Sequence, residues 1–109
     1  MNLRSYVWQR ITAALLVPML LVHLAVMFYA THRGISAAEI LSRTRGSVAW
    51  GLFYSVFAVT ISIHASIGLR NILSEWTPLP ERRVDACVVF FGLVLALLGL
   101  RAVAAVVLP

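Results

Sequence analysis

The sequence predicts an all-α membrane protein with three transmembrane helices, and three observations carry that prediction. The first is composition: 61% of the 109 residues are hydrophobic and only 12% are charged. A soluble domain averages about 45–50% and about 25%. In water a chain this short needs far more polar surface to cover its core, so the apolar excess requires lipid as solvent. The second is that the apolar residues fall into three long runs. The third is that the charges collect at the ends of those runs. The length allows a single domain.

The first run covers residues 11–31 and contains no Asp, Glu, Lys or Arg. It matches the roughly 20 residues that cross a hydrocarbon layer about 30 Å thick. Pro18 lies within it, which membrane helices tolerate because neighbours can satisfy the freed carbonyl. The second run covers 47–69. The third covers 86–108 and is broken only by Arg101, close enough to its far end for the guanidinium to snorkel to the surface. Between the first two runs, residues 32–46 carry Gly34, Ser36, Ser42 and three arginines, and they predict a short surface helix beginning near Ser36. Between the second and third runs stands Thr77-Pro78-Leu79-Pro80. Two prolines so close exclude a continuous helix and predict an extended turn.

The formal charge is +5, and every basic residue is arginine. No basic stripe of the kind that follows a phosphate backbone is visible, which argues against nucleic acid as a partner. Arginines at the ends of apolar runs meet lipid headgroups instead. Arg4, Arg10, Arg70, Arg82 and Arg83 fall on one side of the membrane and Arg33, Arg43, Arg45 and Arg101 on the other. That slight bias favours a cytoplasmic N-terminus. Cys87 has no internal partner for a disulfide. The first apolar run is too long for the core of a signal peptide. Three helices without pseudo-symmetry or many pore-lining polar groups make a poor transporter or channel. They read as part of a larger assembly.

Chemistry concentrates in the second span. Helical spacing puts Thr60, His64, Gly68 and Asn71 on one face, and an ionisable side chain inside a membrane is costly enough to suggest a function. Neutral imidazole is a standard axial ligand of haem iron. Gly68, one turn beyond His64, leaves room for a flat macrocycle. The competing reading of His64 is a histidine hydrogen-bonded to a neighbouring helix. Ser62 and Ser66, on other faces, suit close helix packing. His23 lies near the middle of the first span, with Met19 and Met27 one turn away on either side. It reads as an interhelical hydrogen-bonding or packing histidine. His32 lies at the membrane edge and is expected to be solvated.

A second cluster, Arg70, Ser74, Glu75 and Trp76, marks the exit of the second span and shares a membrane surface with Arg10. A quinone headgroup needs donors for two carbonyl oxygens and an apolar wall. Tryptophan offers an N–H and a ring face, and arginine can steady a carbonyl or a propionate. The plain alternatives are a belt aromatic for Trp76 and headgroup anchors for Arg10 and Arg70.

The run from His64 to Trp76, HASIGLRNILSEW, resembles the His-Ala-x-x-Gly-x-x-x-x-x-x-Asp-Tyr signature of the smaller hydrophobic anchor (D subunit) of succinate:quinone oxidoreductase. Gln9-Arg10-Ile11-Thr12-Ala13 is similar to the Arg-x-Thr-Ala start of that family's first helix. Length and the three-span layout also match, so the resemblance covers essentially the whole chain. It implies half of a heterodimeric haem-binding membrane anchor in a bacterial inner membrane. The partners it implies are a second hydrophobic anchor subunit, an iron–sulfur subunit and a flavoprotein. It implies haem b and ubiquinone as cofactors, with His64 as one iron ligand and Arg10 near the haem propionates and the quinone pocket. The family's quinone-contacting Asp-Tyr pair falls on Glu75 and Trp76, and both depart from the pattern. An indole N–H donates as a tyrosine hydroxyl would, but it neither accepts nor relays a proton. The alternatives are the anchor of a quinol:fumarate reductase, with or without haem, or a purely structural subunit.

Overall fold

The computed structural model describes residues 3–109 as four helices: α1 (Leu3–Arg33), α2 (Ala37–Thr44), α3 (Val48–Trp76) and α4 (Glu81–Val107). Three of them, α1, α3 and α4, are long and apolar enough to cross a membrane. Each coincides with one of the apolar runs and most overrun it into the polar flanks. The helix continues there because headgroups and water satisfy side chains that hydrocarbon would not. α1 runs unbroken through Pro18. The short helix after Ser36 forms as expected, because the Ser36 hydroxyl accepts from the Glu39 amide at 3.2 Å and so satisfies a first-turn donor.

Local chemistry sets the ends. α1 closes on Gly34, whose φ of +64° is open to glycine at little cost. Gly34 donates to the Thr31 carbonyl and Ile35 to the Ala30 carbonyl, at 3.2 and 3.0 Å, which satisfies the last carbonyls of the helix. α3 stops at Trp76 because Thr77, preceding Pro78, is held extended at φ −129°, ψ 153°. Pro80 then caps α4.

α3 is the central helix, with α1 on one flank and α4 on the other. The α3–α4 seam is close. A Cβ on Gly99 would lie 2.8 Å from the Ala58 Cβ, and one on Gly92 would lie 2.5 Å from the Ser66 hydroxyl. Glycine at both positions lets the backbones approach, and Ser62 and Ser66 spend their hydroxyls on the Ala58 and Ser62 carbonyls of their own helix. These two serines pack as the sequence suggested. At the far end Thr44 donates to the Val106 carbonyl at 2.6 Å, tying α2 to α4.

Little of the apolar surface is inside. Phe57, Val84 and Val88 are the buried hydrophobic residues among those described, whereas Phe28, Phe90 and Leu97 are largely exposed. Helices that are apolar all round require lipid or other apolar helices about them.

Candidate functional site

Two polar side-chain contacts lie along the α1–α3 seam among the described residues, one in each half of it. In the half nearer the N-terminus of α1, the Thr12 hydroxyl lies 3.1 Å from His64 Nδ1. The same oxygen is 2.8 Å from the Trp8 carbonyl and 3.1 Å from the Gln9 carbonyl. Thr12 is buried and His64 is half-buried. The other ring nitrogen of His64 makes no hydrogen bond to a described residue. One turn along α3, the side chain of Gln9 covers Gly68. A Cβ added to Gly68 would lie 3.6 Å from Gln9 Nε2, an ordinary contact, so nothing among the described residues demands glycine there. Gln9 Oε1 is buried without a hydrogen-bond partner, which is costly in an apolar setting. Thr60 is buried and donates to the Val56 carbonyl.

In the other half, His23 Nδ1 lies 3.1 Å from the Tyr54 hydroxyl. The ring sits edge-on to Tyr54 at 5.4 Å and tilted against Phe57 at 5.5 Å. Trp50 stacks on Tyr54 at 5.7 Å, completing an aromatic cluster. It borders a cleft of about 1000 Å³ between α1 and α4, whose walls include His23, Tyr54, Phe57 and, at the α2 end, Arg43. His32 is exposed and stacked on Phe28.

The candidate quinone residues sit at the first end. α3 is one continuous helix from His64 to Trp76, which sets Trp76 about 18 Å along the axis from the histidine. Trp76 is 82% exposed, and Glu75 is exposed beside it. Neither side chain makes a hydrogen bond, ion pair or ring contact with a described residue. Arg10 is exposed, 5.7 Å above the Tyr6 ring. It follows Gln9, which packs at the level of Gly68, so it lies deeper than Trp76. The structure thus puts Arg10 and Trp76 at one end of the molecule without bringing them into contact. Arg70 is held elsewhere. It donates from Nε to Asp85 at 2.8 Å and from Nη2 to Glu81 at 3.3 Å, tying α3 to the first turns of α4 across the proline turn.

Residues 2–101 match the family model described as succinate dehydrogenase/fumarate reductase transmembrane subunit. The chain belongs to that family. No curated protein and no solved structure matches it. As a membrane subunit of a succinate dehydrogenase or fumarate reductase complex, it works beside other subunits and lipid, which accounts for the breadth of its exposed apolar surface.

Within that family setting, three side chains beside the histidines escaped the reading from sequence. Thr12 and Gln9 both lie in the Gln9-Arg10-Ile11-Thr12-Ala13 segment, from which Arg10 alone was singled out. The available signal was periodicity, since Gln9 and Thr12 are three residues apart and share a helix face. Tyr54 and its contact with His23 carry no local signal, because the two residues meet only through the packing of α1 on α3.

Proposed function

We propose that the chain is the smaller, D-type anchor of a succinate:quinone oxidoreductase. In this reading His64 supplies one axial ligand to a haem b, and a second hydrophobic anchor subunit supplies the other. Trp76, Glu75 and Arg10 contribute to the ubiquinone pocket. The observation that carries it is the state of His64. It is a half-buried membrane histidine with one nitrogen engaged by α1 and the other without a partner among the described residues.

The residues about His64 fit one axial position. His64 and His23 meet different partners along the α1–α3 seam, Thr12 and Tyr54, so in this reading the other axial ligand comes from the second anchor. The orphaned Gln9 Oε1 and a glycine that no contact among the described residues requires both lie within a turn or so of His64. A haem bound there supplies one-electron storage between the iron–sulfur subunit and the quinone. His64 binds and orients it, and the apolar helices keep water away.

At the membrane surface the Trp76 indole N–H donates to a quinone carbonyl oxygen, and its ring walls the headgroup. Reducing a quinone takes two electrons and two protons. Of the adjacent pair, Glu75 can carry a proton and Trp76 cannot. Arg10 supplies positive charge one or two turns deeper, toward the carbonyl and the propionates. The N-terminus is cytoplasmic in this arrangement, on the side of the soluble subunits.

The test is to purify the complex through a tag on this chain. The expected preparation contains a flavoprotein, an iron–sulfur subunit and a second anchor, carries haem b, and reduces ubiquinone with succinate. A preparation with the subunits but no haem and no succinate:ubiquinone activity overturns the proposal. Labelling of Ser42→Cys from outside the cell is the expected topology, and labelling from the cytoplasm reverses it.

A further inference from the structure

The Thr12 hydroxyl has one proton and three neighbours that could receive or offer one. Its oxygen lies 2.8 Å from the Trp8 carbonyl, 3.1 Å from the Gln9 carbonyl and 3.1 Å from His64 Nδ1. The residue is 2% exposed, so each short contact has to be satisfied locally. Carbonyl oxygens only accept, a hydroxyl donates once and accepts twice, and a neutral imidazole carries its single proton on one nitrogen.

Two arrangements are possible. If Thr12 donates to His64 Nδ1, one hydrogen bond forms, and the Trp8 carbonyl is left 2.8 Å from an oxygen with no proton between them. If Thr12 donates to a carbonyl of its own helix, its lone pair is free to accept from Nδ1–H. Two bonds then form in a chain from Nδ1–H through Oγ1–H to C=O, and each polarises the other. The second arrangement gains a hydrogen bond and removes a repulsive oxygen–oxygen contact. It places the imidazole proton on Nδ1 and leaves the lone pair on Nε2.

We infer that Thr12 is a positioning residue that holds His64 in its Nδ1–H form and presents Nε2 as the donor to haem iron. The inference rests on the haem ligation proposed above. The partner of one ring nitrogen sets what the other can do, and Thr12 is that partner here. The same accounting at His23 gives the opposite result. The Tyr54 hydroxyl has no acceptor among the described residues other than His23 Nδ1. Donation there places the His23 proton on Nε2 and leaves that nitrogen without a lone pair.

The experiment compares Thr12→Val, which keeps the shape and removes the hydroxyl, with Thr12→Ser, which keeps the hydroxyl. His64→Ala is the control, and all are made in the intact complex. The readouts are haem content from the optical spectrum and the midpoint potential of the haem by potentiometry. Without an acceptor on Nδ1–H the imidazole is a weaker donor to ferric iron. Thr12→Val is therefore expected to move the potential positive and weaken haem retention about 10- to 100-fold, with Thr12→Ser restoring both. Wild-type content and potential in Thr12→Val, or equal defects in Val and Ser, overturn the inference. Should the Val complex not assemble, Thr12→Ser against Thr12→Ala makes the same comparison with the same outcomes. If haem survives His64→Ala, the ligation reading itself falls and takes this one with it. If haem is lost there but Thr12→Val matches wild type, only the role of Thr12 falls.

Discussion

Each half of the α1–α3 seam carries one histidine with one hydroxyl across from it, yet the two contacts are built differently. At Thr12 the hydroxyl is aliphatic and lies within reach of carbonyls on its own helix, so its proton is already spent. At Tyr54 the hydroxyl is phenolic and lies among rings, 3.1 Å from His23 Nδ1 and with no carbonyl acceptor among the described residues. The surroundings differ in the same sense. Beside His64 stand a glycine and an orphaned amide oxygen, whereas beside His23 stand Phe57 and the stacked pair of Trp50 and Tyr54. Two membrane histidines of similar cost to bury can therefore have opposite uses. The neighbour's spare proton decides which nitrogen remains available.

The largest effect that would sharpen this contrast is expected at Gly68. Alanine fits there as an ordinary contact with Gln9, so Gly68→Ala should leave the complex assembled with most of its haem. Gly68→Leu reaches past Gln9 on α1 into the turn beside His64, and haem content measured from the optical spectrum should fall to near zero. If Gly68→Leu retains full haem, the macrocycle does not lie over that turn.

A smaller effect belongs to Trp76. One neutral hydrogen bond is worth about 0.5–1.5 kcal/mol net, so Trp76→Phe should slow ubiquinone reduction about two- to tenfold. Trp76→Ala should cost more because the apolar wall goes too. In both variants the haem spectrum and succinate oxidation by an artificial acceptor should be unchanged. Wild-type ubiquinone reduction by Trp76→Ala would make Trp76 an interfacial anchor only, as its 82% exposure in this chain allows.

The smallest effect is expected in the other half. Tyr54→Phe removes one interhelical hydrogen bond, worth about 0.6 kcal/mol on average inside membranes. It should lower the thermal stability of the complex slightly and leave the haem spectrum as it was. A lost or shifted haem band in Tyr54→Phe would mean that the two halves are not separate in function.

Much of this was legible in the sequence. The three spans follow from where the charges stand, the short α2 from Ser36, and the break before α4 from Pro78 and Pro80. His64 with Gly68 stood out because an ionisable side chain in an apolar run is rare and helical spacing is regular. The α1–α3 contacts were not legible. Which residue of α1 faces His64 depends on the depth and rotation of one helix against another, and no local pattern encodes either. Thr12 therefore read as part of a motif and Gln9 as its preface. The fate of Arg70 was hidden for a similar reason. Asp85 and Glu81 lie beyond the proline turn, and only the antiparallel return of α4 brings them to the guanidinium.

The most direct measurement is a pair of reduced-minus-oxidised optical spectra, taken on purified complexes carrying His64→Ala and His23→Ala. Haem ligation by His64 requires the b-type band to be lost or displaced in the first and to persist at wild-type intensity in the second. A band that survives His64→Ala and disappears with His23→Ala would contradict it.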